Sequence, residues 1–266
     1  MKGRRVFKRL LQSMGVGGPS VETVLANANV HPGGTLEGVV HLQGGDHVSD
    51  IEYVALGLQT RVEVESGDSE WSQNQEFYRR AITGRFQLQP GARHDIPFQF
   101  EVPLETPITH VYGQFLHGMT MGLRTELEIA RAVDKSDLDP FAVHPLPAQE
   151  RVLDGLSRLG FRFKRADLER GHIRGAHQTL PFYQEIEFYP APQYARAINE
   201  LELTFIAAPQ ALEVILEIDK RGGVFTEGHD SYGFFTVDYA SAEQTDWSRE
   251  LDGWLRQSAQ RRGLFF

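Results

Sequence analysis

Cysteine is absent from all 266 residues. That excludes disulfides, thiol nucleophiles, iron–sulfur clusters and cysteine-type zinc sites, and nothing points to an oxidised, secreted setting. No apolar run approaches the roughly 18 residues that cross a bilayer. The opening Met1-Lys-Gly-Arg-Arg-Val-Phe-Lys-Arg-Leu-Leu is basic, but Lys8 and Arg9 interrupt its apolar stretch, so it does not read as a signal peptide. No Asn-x-Ser/Thr acceptor for glycosylation occurs. Positive charge is in deficit: 27 Lys+Arg face 36 Asp+Glu, a net charge of −9. A general nucleic-acid binder needs the opposite field to displace counterions from phosphate, so nucleic acid is not an expected partner. A cytoplasmic protein is expected.

What is present is strand. Val54, Leu56, Leu58, Val62 and Val64 alternate with Gln59, Arg61, Glu63 and Glu65, the period-two pattern of a strand with one face on a core and one in water. The pattern returns at Ile96-Pro-Phe98-Gln-Phe100, at Leu123, Thr125, Leu127 and Ile129, at Leu201-Glu-Leu203-Thr-Phe205, and at Leu212-Glu-Val214-Ile-Leu216. Turn chemistry separates these runs, as at Pro32-Gly33-Gly34, Gly44-Gly45-Asp46 and Pro90-Gly91. Short-spaced strands without intervening helices predict an all-β protein of antiparallel β-sandwiches. At about 150 residues per domain, the length suits two domains or one large one.

Three segments carry helical spacing instead. Phe7, Leu10, Leu11 and Met14 form a stripe among basic residues. Val152, Leu153, Leu156 and Leu159 form another, over 150–159, with Gly160 as a stop. Trp247, Leu251, Trp254 and Leu255 form a third, preceded by Ser241-Ala-Glu-Gln244, which resembles a capping box. Alternation gives way to charge and a proline at Asp134, Asp137, Asp139 and Pro140, and this segment is expected to be the interdomain linker. The expected organisation is therefore a basic amphipathic helix at 1–18, a sandwich at 19–136, a second at 137–240 that opens with the short helix, and a C-terminal amphipathic helix and tail at 241–266.

No reaction chemistry assembles from spacing alone. There is no Gly-x-Ser-x-Gly elbow to activate a serine, no His-Glu-x-x-His, and no pair of histidines three or four apart on a helix. Asp134, Asp137 and Asp139 lack EF-hand spacing, and Lys135 lies among them. Gly15-Val-Gly17-Gly18 runs into Pro19 and a strand, where a phosphate cradle needs a helix N-terminus. No catalytic residue, metal or cofactor is expected; only a composite site built from distant residues would escape this reading. Two segments are candidates for docking. Arg4, Arg5, Phe7, Lys8, Arg9 and Leu11 would suit an anionic membrane surface or an acidic partner, and Trp247 and Trp254 would suit a protein partner. For each, the plainer alternative is that its apolar stripe packs on the chain itself.

Several motifs resemble a known family. Val21-Glu-Thr-Val-Leu and Val30-His-Pro32-Gly33-Gly-Thr-Leu36-Glu-Gly38-Val-Val40-His-Leu42 are similar to the opening hairpin of arrestin-like domains. Ile96-Pro97-Phe98-Gln-Phe100-Glu-Val102-Pro103 resembles the strand that follows it there. Phe7-Lys-Arg-Leu-Leu, Val133-Asp134-Lys-Ser-Asp137-Leu-Asp139-Pro140 and Val152-Leu-Asp-Gly-Leu156-Ser-Arg-Leu-Gly160-Phe161 resemble, more narrowly, the bacterial sporulation-control family of the Spo-zero-M type. The resemblance spans about Phe7 to Asp219. It implies two tandem arrestin-like sandwiches, no enzymatic activity, and a regulatory adaptor or scaffold role through protein contacts. Self-association through sheet edges and peripheral association with the inner face of the membrane are the further partner readings.

Overall fold

The computed structural model describes residues 17–66, 69–220 and 231–260. The chain is mostly β. A three-stranded antiparallel sheet is made by β1 (Ser20–Leu25), β3 (Thr35–Gln43) and β7 (Arg93–Glu101), in the order β1-β3-β7. Its inner residues, Leu36, Val40, Leu42, Phe98 and Phe100, are buried. They alternate with exposed partners, as the period-two pattern predicts.

The second sheet is built on one long strand, β4 (Ser49–Ser66). β10 (Gly122–Ile129) pairs with its first half, and β11 (Lys135–Pro140) closes that side. β5 (Ser69–Ala81) and β6 (Phe86–Leu88) pair with β4 as well. In the second half of the chain, β13 (Arg162–Arg170), β14 (Phe182–Tyr189), β15 (Ile198–Ala207), β16 (Ala211–Lys220) and β17 (Ser231–Asp238) form an antiparallel meander. This meander joins the same sheet where Glu169 of β13 lies parallel to Glu63 of β4. Gln59 pairs with both Gly122 and Glu76, and Glu63 with both Glu169 and Ser72. β10 and β13 therefore share one edge of β4, one after the other.

In the first half the two sheets face each other. Thr23 on β1 and Thr125 on β10 meet through a buried hydroxyl–hydroxyl hydrogen bond of 2.6 Å. In the second half, among the described residues, the meander is a single sheet backed by helices. These are α1 (Pro147–Leu159), a short turn α2 (Tyr239–Ala242) and α3 (Trp247–Gln260). α1 starts three residues before the expected position. Pro147 occupies its first turn, and the Gln149 side chain reaches back to accept from the Leu146 N–H at 2.7 Å. It stops at Gly160, whose φ of 92° is the left-handed conformation a helix terminus uses. α3 starts at Trp247, later than the Ser241 signal implies, because Asp246 supplies the carboxylate that accepts from Arg249 N–H. α1 and α3 pack on one another at Gly155, and α3 lies on β17 at Gly233. Most of the buried apolar side chains form one contiguous cluster running from Val30 to Leu255.

Candidate functional site

The outer face of the large sheet carries the candidate surface, beginning at a short hairpin. β8 (His110–Val111) and β9 (Gln114–Phe115) are joined by Tyr112 and Gly113, with φ values of 50° and 72°. Two successive positive φ angles make the tight turn whose twist suits a hairpin. The Tyr112 hydroxyl donates to Asp154 on α1, tying the hairpin down. Between this hairpin, β11 and the middle of β4 and β5 lies a groove of about 700 Å³. Phe115, Met119, Met121, Leu138 and Phe141 line it, with Arg61, Asn74 and His110 as polar members. Phe115 and Leu138 are 52% and 49% exposed. Two exposed apolar side chains flanking one groove make it a candidate contact surface. The His110 ring continues into His144 and His31, with centroids 5.3 and 5.9 Å apart. Burial, with His110 and His31 beside it, lowers the His144 pKa, and its Nε2 is paired to the Asn29 side-chain oxygen at 2.9 Å.

Beyond the groove the same face becomes acidic. Two residues past Arg61 on β4 comes Glu63, beside Glu169 and Asp167 of β13. Asp167 lies opposite Glu185, and Glu187, Glu202 and Glu217 form the next row across β14, β15 and β16. Burial, followed by the neighbouring carboxylates, pushes Glu185 up to about 9 and Glu202 to about 7. Asp167 rises to about 7, again by burial, with Arg165 opposing. Lys164 bridges Glu187 and Glu200 at 2.8 and 2.7 Å, and Arg165 holds Glu187. The Gly171–Pro181 connection folds over the far end, where His172 and Arg174 line a second groove of about 350 Å³ above Glu185, Glu202 and Glu217.

The structure disperses the residues singled out from sequence. Arg4, Arg5, Phe7, Lys8, Arg9 and Leu11 lie outside the described residues. Trp247 is buried, its Nε1–H donating to the Ala242 carbonyl at 3.1 Å, and Trp254 lies edge-on to Phe235 over Gly233. The segment expected as a linker is mostly an edge strand, β11. Asp134 accepts from the Ile129 N–H at 3.0 Å, and Asp137 accepts from the Thr23 N–H at 2.7 Å, which bridges the two sheets. Asp139 points the same way and is pushed up to about 6 by burial and by the adjacent Asp137 and Glu22. Pro140 lines the groove. Phe115, Met119 and Leu138 were not singled out from sequence. The signal for Phe115 is the Tyr112-Gly113 turn beside it, and that for Leu138 is a lone apolar residue within the charged Lys135–Pro140 segment; period-two counting passes over both.

A family model described as SpoOM protein, or Spo0M, matches residues 7–222. The chain belongs to the Spo0M family. A Spo0M relative, the sporulation-control protein of Bacillus subtilis strain 168, is 38% identical over 216 residues, covering 81% of each chain. The crystal structure of Bacillus subtilis Spo0M superposes with a TM-score of 0.79 at 32% identity, covering 91% of this chain and 99% of that one. The narrower resemblance carried by the Asp134–Pro140 motif thus stands, and the mostly-β architecture is shared with a solved Spo0M. Spo0M relatives carry the name of a regulatory protein. No helix among the described residues is long and apolar enough to cross a membrane.

Proposed function

We propose that this Spo0M-family chain is a non-enzymatic cytoplasmic adaptor with arrestin-like organisation, acting in regulation by binding a protein partner in the groove between the β8–β9 hairpin and β11. The observation that carries the reading is the pair of exposed apolar walls, Phe115 and Leu138, over an otherwise mostly apolar groove. The facing sheets of the first half support the arrestin-like comparison. Partner sites that concentrate binding energy combine a central aromatic with a desolvated pocket, and truncating such an anchor costs about 2 kcal/mol or more. β11 adds a strand edge along the groove, and an edge offers backbone hydrogen bonds to an extended segment.

The test compares parent and Phe115→Glu as bait in lysate of the source bacterium, after equal melting temperatures establish that both are folded. Loss of specific partners from the variant is the expected result; an identical set captured by both overturns the groove reading. A second reading rests on five cations in the opening segment, Lys2, Arg4, Arg5, Lys8 and Arg9, interleaved with Phe7 and Leu11. It places the chain peripherally on anionic membrane. Salt-sensitive sedimentation with phosphatidylglycerol vesicles that disappears when residues 1–15 are removed would establish it.

A further inference from the structure

We propose that β17 is a self-association edge, through which two copies of this chain pair antiparallel about a two-fold axis and continue the large sheet from one into the other. β17 ends the order β11-β10-β4-β13-β14-β15-β16-β17, and among the described residues no strand lies along its second edge. Its pairing with β16 runs without a bulge from Ile218 opposite Ser231 to Ala211 opposite Asp238. Every second residue of such a strand points its N–H and C=O outward, a template for another strand. The other long edge strands are guarded. β7 carries Arg93, Asp95 and Pro97, and β11 carries Lys135, Asp139 and Pro140. β5 is studded with acidic and basic side chains, and β1 has its Thr23 N–H taken by Asp137. Charge, proline and cover are how soluble proteins keep strand edges apart. β17, Ser-Tyr-Gly-Phe-Phe-Thr-Val-Asp, has no proline and no charge before Asp238.

The inner face of β17 is closed by α3, whose Trp254 lies over Gly233, while the outer face leaves Tyr232 53% and Phe234 51% exposed. The open surface is therefore a strand edge bordered by two aromatic rings. A second copy fits it. In an antiparallel pair about a two-fold axis, outer residues face outer residues, so the rings of both copies meet on one face. Any register that pairs residues 231–237 of the two copies sets no like charges opposite one another. An uncharged strand also has nothing with which to select a partner of opposite sign. One isologous dimer satisfies both edges and leaves neither to propagate. Each half-exposed ring contributes about 100 Å², so four bring about 400 Å² to the contact. Even with the strand backbone the total stays below the roughly 1,200 Å² of a standard interface, so the dimer is weak, with a Kd on the order of 10–100 µM. The net charge of −9 on each copy opposes it, and salt screens that repulsion. The edge shares no residue with the groove at β8–β9.

The test is sedimentation equilibrium of the full chain from about 1 to 500 µM, in about 50 and 500 mM NaCl. A reversible monomer–dimer equilibrium that tightens with salt is expected. Phe234→Lys sets two cations against each other across the axis and should weaken the dimer by about tenfold or more, at a melting temperature equal to the parent's. If Phe234→Lys melts below the parent, Thr236→Lys, which is also outward and exposed, carries the same expectation. Trp71→Lys, at an exposed aromatic on β5, should dimerise as the parent does. A monomer at every concentration would overturn the proposal and leave the edge to an extended segment of another protein. A dimer that survives both β17 variants, or that Trp71→Lys abolishes, would overturn it by placing the contact elsewhere. A dimer that salt dissociates would do the same, because the contact would then rest on ion pairs that β17 does not offer.

Discussion

Asp139 carries a protonation preference that stability measurements can read. Its carboxyl faces Asp137 and Glu22, its Oδ2 is buried without a hydrogen-bond partner, and its pKa moves from 3.8 to about 6. A proton on Asp139 would satisfy that oxygen and bond it to Asp137. Because the folded value lies above the unfolded one, the folded chain binds more protons between about pH 4 and pH 6, and stability falls as pH rises through that window. Two pKa units correspond to nearly 3 kcal/mol, and partial exposure reduces the expectation to about 1 kcal/mol. Asparagine never ionises and its amide can donate to Asp137. Asp139→Asn should therefore melt above the parent at pH 7.5 and with it at pH 3.5. Equal melting temperatures at both pH values would show that Asp139 ionises freely in the folded chain.

The contact between α1 and α3 is set by one missing side chain. A Cβ at Gly155 would lie 2.8 Å from Trp247 Cβ and 3.0 Å from Leu251 Cδ1, whereas one at the exposed Gly253 on α3 would meet nothing within 4 Å. Alanine favours a helix interior over glycine by about 1 kcal/mol, so the two positions separate propensity from packing. Gly253→Ala should gain a few tenths to about 1 kcal/mol. Gly155→Ala should lose about 1–3 kcal/mol as the helices are forced apart. Denaturant midpoints for the two variants moving in the same direction would refute the close approach. The stripe of α1 and its Gly160 stop were legible in sequence because both are local. Its Pro147 start was passed over because Pro147 and Gln149 lie outside the apolar stripe. β11 reads as a linker in sequence for a related reason. Its inward residues are Asp137 and Asp139, held by Thr23 and by each other, and a polar inner face leaves no hydrophobic period to count. In β4, alternation from Val54 to Val64 correctly gave the buried face, but it says nothing about which strand lies alongside. That is why the cluster of Glu63 with Asp167 and Glu169, a hundred residues away, was invisible from the sequence.

At the scale of the whole molecule, β4 is the element that both halves share. β10 and β13 occupy successive stretches of one of its edges, and the buried cluster continues from Leu123 in the first half to Leu203 in the second without interruption. Where core and sheet are continuous, opening one half exposes apolar surface and unpaired strand in the other, so partial unfolding is penalised. The chain should therefore melt in a single transition with calorimetric and van't Hoff enthalpies equal. Two core truncations sharpen the expectation. Leu123→Ala and Leu203→Ala each remove a fully buried side chain and should cost about 2–5 kcal/mol. In a cooperative molecule each lowers the same single transition. If the halves instead fold as separate domains on either side of about residue 137, the scan splits, Leu123→Ala lowers one peak, and Leu203→Ala lowers the other. The single pair joining Glu63 to Glu169 would then be a contact between domains.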